Sequence, residues 1–508
     1  MMVLMDAGHL SLRTDAPGHT RLPARYLMSI MGSIGLGIIY GFKVNLSIAI
    51  VAMVNHTAVG LMNNKTLQHI NVSLKHEDGP FPWDENTEGL ILGSYFWGYI
   101  VSLMPGGMIA EYVSARWVLN FSVLLNVLAS LLMPMAADFH YRAFICMRVI
   151  QGIGGGISFP AVHVMVAKWA PPNERSLLAS IAYAGTALGN VVFIFASGII
   201  ATYLGWKSVF YVEGVASLIW CIAWAILIQD SPEEQKILIS HEEREYIISS
   251  IGKTKESHMK LSEVPWFQIF KSAPFLAILV THFCSNFGWY MILTQLPTFM
   301  TQILHYQLKD SAWLSALPFF CMWVFTLALS KLLSNMHDKN WISVTVSRKI
   351  GTLFSSAIPM FCLLAVTYVG NNRTLAVALM TVGITCIGGM YCGFLANHID
   401  LAPNFAGTLV AITNTFATIP GIIVPLIVGN LTKGSQTIES WRVIFFMTAF
   451  LYIIEMLIYS MFGTGEEQPW NKVKSQNTKP ADVYAQSPER SEYTVPLNEN
   501  RHHQNHES

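Results

Sequence analysis

The sequence predicts an all-α membrane protein with twelve transmembrane helices arranged as two six-helix repeats. Apolar residues make up 53% of the 508 residues and charged residues only 12%, which excludes an ordinary soluble domain. Short motifs also repeat between the two halves of the chain. Twelve apolar runs are long enough to cross about 30 Å of hydrocarbon. They cover approximately residues 26–54, 87–110, 117–136, 142–168, 177–203, 206–228, 274–301, 312–333, 350–370, 374–398, 407–430 and 440–463.

The segments around these runs give the expected domain organisation. The first run is far longer than a signal-peptide core, and no small-residue cleavage site follows it, so we expect it to remain as a membrane helix. In the polar stretch between the halves, Ser240 and Glu243 form a capping-box pattern that predicts a short helix over 241–251. We expect a tail at 1–25, a first half at 26–228, a linker at 229–272, a second half at 273–464 and a disordered tail at 465–508.

Basic residues predict which side of the membrane each loop faces. The N-terminal tail contains Arg13, Arg21 and Arg25, and the linker is rich in Lys and Arg. An even number of spans puts both termini on one side, and the positive-inside rule makes that side cytosolic. The loop at 55–84 then faces the lumen or the extracellular space.

That loop carries candidate glycosylation sites. Sequons begin at Asn64 and Asn71, and such sequons are acceptors in surface loops of secreted or lumenal segments. A third sequon, at Asn55, lies too close to the membrane for us to expect its modification. The sequons and the charge rule therefore give the same orientation.

An internal repeat supports the two-half architecture. The motif that starts at Trp206 and includes Phe210 resembles the one that starts at Trp441 and includes Phe445. Ala-Pro pairs at 170–171 and 402–403 recur at a similar offset, roughly 232–235 residues for both motifs. Coincidence between short motifs is the alternative. A real duplication is typical of transporters that rock two halves about a central site.

Composition narrows the possible partners. The 31 basic and 31 acidic residues give a net charge of zero, so no global field favours nucleic acid. All seven cysteines lie within predicted spans, without spacing for a disulfide framework or a metal site. We find no nucleophile–base pair and expect no enzyme activity and no cofactor. The expected partners are a small solute and the lipid bilayer, with the protein working as a monomer.

Two cations within the spans are candidate substrate-binding residues. Lys43 lies about two-thirds of the way across the first run, and Arg148 lies inside the fourth run before a glycine string. A charge near the middle of the bilayer is costly and normally faces a bundle interior or a cavity. A guanidinium also suits carboxylate and phosphate oxygens. The alternatives are a lysine that snorkels to the interface and an arginine that only holds a neighbouring helix.

Three further residues are candidates for coupling transport to an ion. His163 follows Pro160, where a helix kink can free a carbonyl, and histidine titrates near neutral pH. Glu213 and Glu455 are acids well within predicted spans, and either could carry a proton or pair with a buried cation. A satisfied packing role is the alternative for His163.

A group of residues at predicted cytosolic helix ends is a candidate gate. Paired glycines and opposite charges at a short loop can clamp two halves together, although a tight turn with a weak surface ion pair is the alternative. Lys168 and Asp400 carry opposite charges at positions that the repeat superposes, so a pair across the halves is conceivable. The candidate gate residues are Gly106, Gly107, Glu111, Arg116, Lys168 and Asp400.

Several segments also carry a family resemblance. They are VNLSIAIVAMV (44–54), GSYFWGYIVSLMPGGMIAE (93–111), RVIQG (148–152), FPAVH (159–163), KWAPPNERS (168–176), GWKSVFYVEG (205–214), EVPWFQIFKSAPFLAILVTHFC (263–284), NHIDLAP (397–403) and EEQPW (466–470). The chain resembles the major facilitator superfamily and, more narrowly, the solute carrier 17 group, which includes sialin, type I phosphate cotransporters and vesicular glutamate transporters. The resemblance implies anion transport, often driven by a proton or sodium gradient.

The chain departs from that family pattern at informative positions. Lys43 replaces the usual first-helix arginine, and Gly155 replaces the glutamate seven residues after the fourth-helix arginine. Leu92 and Ser285 stand where glutamate carriers have histidine and arginine, which argues against a vesicular glutamate transporter. The second-half counterpart of the glycine-acid loop, at 329–334, has neither glycine nor acid.

The function we expect is Na⁺- or H⁺-coupled symport of small anions, such as inorganic phosphate or sialic acid-like carboxylates, by alternating access. The membrane is the plasma membrane or a lysosomal or vesicular one. Gly155 and the degraded loop favour a rival, a non-transporting sensor that retains the fold. Uptake that persists without ion gradients would instead indicate an uncoupled uniporter.

Overall fold

The computed structural model describes residues 23–55, 57–59, 79–171, 174–251, 264–369, 372–434 and 436–471. Side chains at 104, 107, 108, 111, 112, 175–177 and 338 lie outside the described part. The sequons at Asn64 and Asn71 and the C-terminal tail after 471 lie outside it as well. Residues up to Asn471 form one compact unit.

Twelve long helices make up most of the described part of this unit. They are α1 (Ala24–Met53), α2 (Glu85–Tyr112), α3 (Ala115–Phe139), α4 (Tyr141–Trp169), α5 (Arg175–Leu204), α6 (Trp206–Leu227), α7 (Ala273–Thr298), α8 (Leu308–Asp338), α9 (Val344–Tyr368), α10 (Arg373–Ile387), α11 (Ala406–Thr432) and α12 (Ile438–Phe462). The predicted apolar runs match them one for one. Eleven are long and apolar enough to cross a membrane by length and composition. The exception, α2, is 28 residues long but begins with the polar turn ENTE.

Local sequence explains where several helices begin. The Asp84 side chain accepts the backbone N–H of Thr87 at the start of α2, and the Ser343 hydroxyl caps α9 in the same way. The linker contains the expected helix, His241–Ile251, and the backbone N–H of Glu243 donates to Ser240 Oγ at 3.1 Å. A further short helix, Asn397–Leu401, follows α10.

The glycine string of α4 permits very close helix packing, as its sequence predicts. A Cβ at Gly152 would collide with the carbonyl oxygen of Tyr95 on α2. Gly154 lies against Asn126 on α3, where a Cβ would again lack room. Small residues of this kind let membrane helices approach through their backbones. These contacts hold α4 between α2 and α3.

The repeated motifs adopt the same local structure. Trp206 begins α6 and contacts Phe210 with a ring separation of 6.2 Å, while Trp441 near the start of α12 contacts Phe445 at 5.9 Å. All four rings are buried. In each half, a Trp–Phe pair in the first two turns of the last helix thus anchors the corresponding helix end.

The two halves meet toward one face of the bundle. We call the face where α1 begins and α12 ends the terminal face, and the other the opposite face. Toward the opposite face, Gly89 of α2 packs on the Pro425 backbone of α11, and Gly198 of α5 packs on Ala312 of α8. Lys309 donates to the Tyr203 hydroxyl at 3.1 Å across the same boundary. The structure is therefore closed at the opposite face.

Candidate functional site

Lys43 lies in a cage of four aromatic rings where the halves meet. Its ammonium is 4.9 Å from the ring centre of Tyr290, 5.0 Å from those of Phe96 and Tyr99, and 5.3 Å from that of Tyr40. Tyr290 belongs to α7, so the cage includes both halves. The ammonium also donates to the Tyr290 hydroxyl over 3.4 Å. Lys43 is only 8% exposed and does not snorkel to an interface.

The cage keeps a charge in the protein interior without neutralising it. Each ring contributes about 0.5–2 kcal/mol through the electrostatic attraction between a cation and a π face. Within the described part of the chain, neither Lys43 nor Arg148 forms an ion pair. Two buried, unneutralised cations on adjacent helices create a positive potential that an anion can relieve.

Arg148 connects α4 to α1. Its guanidinium donates to the carbonyl oxygen of Phe42 at 3.0 Å and to Oε1 of Gln151 at 2.9 Å, with a longer contact to the Lys43 carbonyl at 3.5 Å. The guanidinium carbon is 5.0 Å from the ring centre of Tyr95. Arg148 is 1% exposed, and its Nε has no protein acceptor. The arginine thus holds α4 against α1, as expected for an arginine with a structural role, and its Nε–H remains available as a donor.

Tyr95 occupies the space that the missing side chain at position 155 would need. A Cβ on Gly155 would collide with the Tyr95 hydroxyl. That hydroxyl is buried and has no hydrogen-bond partner. The tyrosine therefore replaces the carboxylate that the family resemblance implies beside Arg148, and it supplies a neutral donor there.

Glu213 does not pair with the buried cations. One carboxylate oxygen accepts the Asn45 amide at 2.8 Å, and the other accepts the Ser197 hydroxyl at 2.7 Å. Glu213 is 5% exposed. Its partners come from α1 and α5, so it connects three helices of the first half through neutral donors.

Glu455 is also separate from the cations. It is completely buried on α12, where Ser355 of α9 donates to its Oε1 at 3.4 Å and its Oε2 has no partner. A carboxylate with so few donors is poorly stabilised as an anion. Among the described residues, Glu455 therefore pairs with no cation.

His163 lies apart from Lys43 and Arg148, toward the terminal face on α4. Its side chain is exposed, and its Nδ1 is 2.8 Å from the Tyr183 hydroxyl of α5. The Phe159 ring stacks on Tyr183 at 4.7 Å. The structure thus places the Arg148 guanidinium against the α1 backbone at Lys43, and the three coupling candidates lie elsewhere.

Two of the candidate gate residues, Arg116 and Lys168, meet at Asp230, which sequence reasoning missed. The Ser114 hydroxyl and the Arg116 backbone N–H donate to Asp230 Oδ1 at 2.9 and 3.0 Å, and Lys168 pairs with its other oxygen. The Arg116 guanidinium donates to Gln229 Oε1 at 2.5 Å. The sequence did offer one indication of this role, because Asp230 is the first acidic residue after α6. The side chains of Gly107 and Glu111 lie outside the described part.

The surroundings of Asp230 control its titration. Burial alone would raise the pKa of this carboxyl, but the hydrogen bonds from Arg116, Lys168 and Ser114 outweigh burial and hold the pKa below its ordinary value. A lowered pKa in the folded state means that the carboxylate contributes stability above its ordinary pKa. That contribution is lost as the pH falls through the folded-state pKa.

The structure corrects the predicted pair between Lys168 and Asp400. Lys168 pairs with Asp230 at the start of the linker, directly after α6, whereas Asp400 accepts Arg348 Nε at 2.6 Å inside the second half. Arg348 also donates to the Cys392 carbonyl at 3.1 Å. Lys168 and Asp400 thus do not pair with each other. Gly106 has a packing role, since a Cβ there would come within 2.8 Å of Ile157 Cα.

A buried histidine pair in the second half was also missed. His398 Nδ1 lies 2.9 Å from the Leu395 carbonyl and its Nε2 lies 2.8 Å from Thr413 Oγ1. The ring of His282 on α7 is 6.4 Å away. His398 sits in the short helix after α10, whose irregular backbone the hydrophobic pattern does not predict.

Comparison with known proteins identifies the family. A family model described as Major Facilitator Superfamily matches residues 27–425. The chain belongs to the major facilitator superfamily. It is 38% identical to sialin of Homo sapiens over 454 residues, which cover 88% of this chain and 90% of sialin. The sequence-based assignment to the superfamily and to its sialin-like group is confirmed.

Other relatives and solved structures of this superfamily agree. A putative inorganic phosphate cotransporter of Drosophila melanogaster is 36% identical, covering 90% of this chain and 88% of that one. Vesicular glutamate transporter 2 of Homo sapiens is 34% identical, covering 88% and 75%. The fold matches a D-xylose-proton symporter with a TM-score of 0.64 at 16% identity, covering 89% of this chain and 99% of that one. The protein is thus a multi-pass membrane protein with the major facilitator fold.

Proposed function

We propose that this protein is a secondary active transporter of small anions that works by alternating access. The observation that carries the proposal is the pair of buried, unneutralised cations, Lys43 and Arg148, beside the boundary between the halves. Burying two such charges without a counter-ion is costly, so their presence favours an anionic ligand that compensates them. The names of the relatives, sialin and phosphate and glutamate transporters, agree with this charge.

The substrate class follows from the donors. The Lys43 ammonium is a compact charge without a bidentate fork, whereas Arg148 Nε offers one directed N–H and Tyr95 one hydroxyl. This set fits one carboxylate or phosphate group with a small polar body. We propose inorganic phosphate or sialic acid-like carboxylates as substrates, and a lysosomal, vesicular or plasma membrane as the location.

Transport requires the opposite face to open. In the structure that face is closed by the α2–α11 and α5–α8 contacts, so an anion reaches Lys43 from the terminal-face side. By the positive-inside argument we propose that the terminal face is cytosolic. A gradient of Na⁺ or H⁺ would drive the cycle, with Glu455, Glu213 and His163 as candidate coupling residues.

The test is uptake into proteoliposomes. Labelled phosphate, sialic acid and glutamate are offered separately with an imposed sodium or proton gradient. Arg148→Met is compared with Arg142→Met, which removes an exposed arginine from the same helix. We expect gradient-driven uptake of at least one anion, lost in Arg148→Met and kept in Arg142→Met. Equal uptake in both variants would refute the assignment of Arg148, and no uptake by folded wild-type protein would favour a sensor.

A further inference from the structure

An acidic site, separate from the site at Lys43 and Arg148, lies at the opposite face, between the two halves. Glu85 and Glu88 occupy the first turn of α2 and line a small cleft at this face. The cleft is completed by side chains of α7 and α11 and of the segment that follows α11. These are Gln295, Thr298, Pro425, Val428, Thr432 and Gln436.

The cleft exists in this form only while the opposite face is closed. Gly429 of α11 packs on the backbone of Glu85, where a Cβ would come 3.0 Å from the Glu85 carbonyl carbon and 3.3 Å from Asn86 Cα. Gly89, one turn further along α2, packs on the Pro425 backbone. Separation of α2 from α11 would open the cleft and admit water to both glutamates.

The closed cleft holds negative charge without a matching cation. Glu85 is 9% exposed, its Oε2 has no hydrogen-bond partner, and this side chain lines the cleft. Glu88 is three residues later, so the two carboxyl groups lie on one face of the helix. In the described part of the chain neither forms an ion pair. Lys433, the cation at this edge, pairs with Asp84 at 3.9 Å.

The groups facing this pair from the other helices are neutral. Gln295 and Thr298 face it from α7, and Thr432 faces it from α11. Asp84 adds a third carboxylate at the start of α2, where it accepts the backbone N–H of Thr87. The negative charges of Asp84, Glu85 and Glu88 lie within about one helix turn and repel one another, and a proton on Glu88 relieves part of that repulsion.

We propose that Glu88, beside the buried carboxylate of Glu85, forms a proton-binding site that is occupied when the opposite face is closed. The proton comes from water on that side, and it returns there when the face opens and both carboxylates are hydrated. Acidification of the opposite side therefore shifts the protein toward the closed opposite face. The inference rests on the proposed alternating access. It concerns the closure of the opposite face rather than the ion that drives transport.

The test measures the conformational equilibrium directly. Spin labels are placed at Phe139 and Arg373, exposed positions at this face in the first and second halves. Distance distributions are recorded by electron resonance at pH 7.5 and pH 5.5 in nanodiscs. The variant is the double substitution Glu85→Gln and Glu88→Gln, and the matched control is Glu439→Gln, an exposed acid at the same face.

We expect acid to raise the closed-to-open ratio of wild type and of Glu439→Gln by at least about fivefold, in the usual range of coupling between sites. The double Gln variant should already be closed at pH 7.5 and should not respond to acid. A wild-type pH response in the double variant would overturn the proposal, and so would the absence of any pH response in wild type.

Failure of the proposed function gives a different result. If no anion is taken up but the spin-label distances respond to pH through these glutamates, the proton site is supported and the transport assignment is refuted. If anions are transported but the double substitution leaves the pH response of the distances unchanged, only the proton site is refuted. Replacement of Na⁺ by choline at constant pH should leave the distances unchanged, and a sodium response that the double variant abolishes would overturn the proton assignment.

Discussion

Replacement of Lys43 by Met should weaken substrate binding strongly while leaving the fold intact. Methionine is unbranched and packs well against aromatic rings, so it fits the cage of Tyr40, Phe96, Tyr99 and Tyr290 without the charge. The lost hydrogen bond, to Tyr290, is long at 3.4 Å. Lys43→Arg is the matched control because it keeps the positive charge.

The size of the effect follows from the electrostatics of the site. A unit positive and a unit negative charge about 4 Å apart attract by about 4 kcal/mol at the effective dielectric constant near 20 that suits partly buried groups. Desolvation of the anion and loss of the cation–π contacts offset part of this attraction. We expect about 2–3 kcal/mol to remain, or roughly a 30- to 150-fold rise in KM.

The assay is the initial rate of uptake against substrate concentration, with the amount and the thermal stability of each variant checked in parallel. Lys43→Met should show the raised KM, and Lys43→Arg should stay within a few-fold of wild type. Wild-type KM in a folded, correctly inserted Lys43→Met protein would refute the assignment of Lys43 as an anion-attracting group.

Three other results are expected. Gly155→Ala should lower the free energy of unfolding by about 1–3 kcal/mol because the Tyr95 hydroxyl must move, and Tyr95→Phe should restore part of it in thermal unfolding. Gly198→Leu should hinder closure of the opposite face and lower uptake strongly, because a Cβ there would come 2.0 Å from Ala312 Cβ; normal uptake by folded Gly198→Leu protein would contradict alternating access. Asp230→Asn should cost about 1 kcal/mol at pH 7, since the lowered pKa keeps Asp230 charged there. The difference from wild type should shrink only below the ordinary carboxyl pKa of about 4 and vanish below the lowered folded-state pKa, measured by melting at each pH.

The helices were predictable because hydrophobic length and helix caps are local features of the sequence. The apolar runs gave the twelve long helices, and the Ser240 and Glu243 pattern gave the helix at His241–Ile251. The capping box itself formed only in part. The backbone N–H of Glu243 donates to Ser240, but its carboxylate accepts the backbone N–H groups of Ala24 and Arg25, 218 or more residues away. Contacts between residues so far apart in the chain cannot be predicted from local sequence patterns.

The candidate site was predictable in its charges but not in its surroundings. A lysine and an arginine inside apolar runs are visible in any hydropathy profile. The four rings around Lys43 come from three helices, and the sequence contains many aromatic residues that could have served. The partner of Lys168 likewise depends on how α4 and the segment after α6 meet, so the sequence suggested Asp400 where the fold supplies Asp230.

The central claim is that one anion binds between Lys43 and Arg148. The most direct measurement is a structure of the protein with whichever anion among phosphate, sialic acid and glutamate passes the uptake assay. We predict an oxyanion within about 3 Å of Lys43 Nζ and of Arg148 Nε, the donor that has no acceptor within the protein. An anion bound elsewhere, with the Lys43 cage and the Arg148 contacts unchanged, would contradict the account.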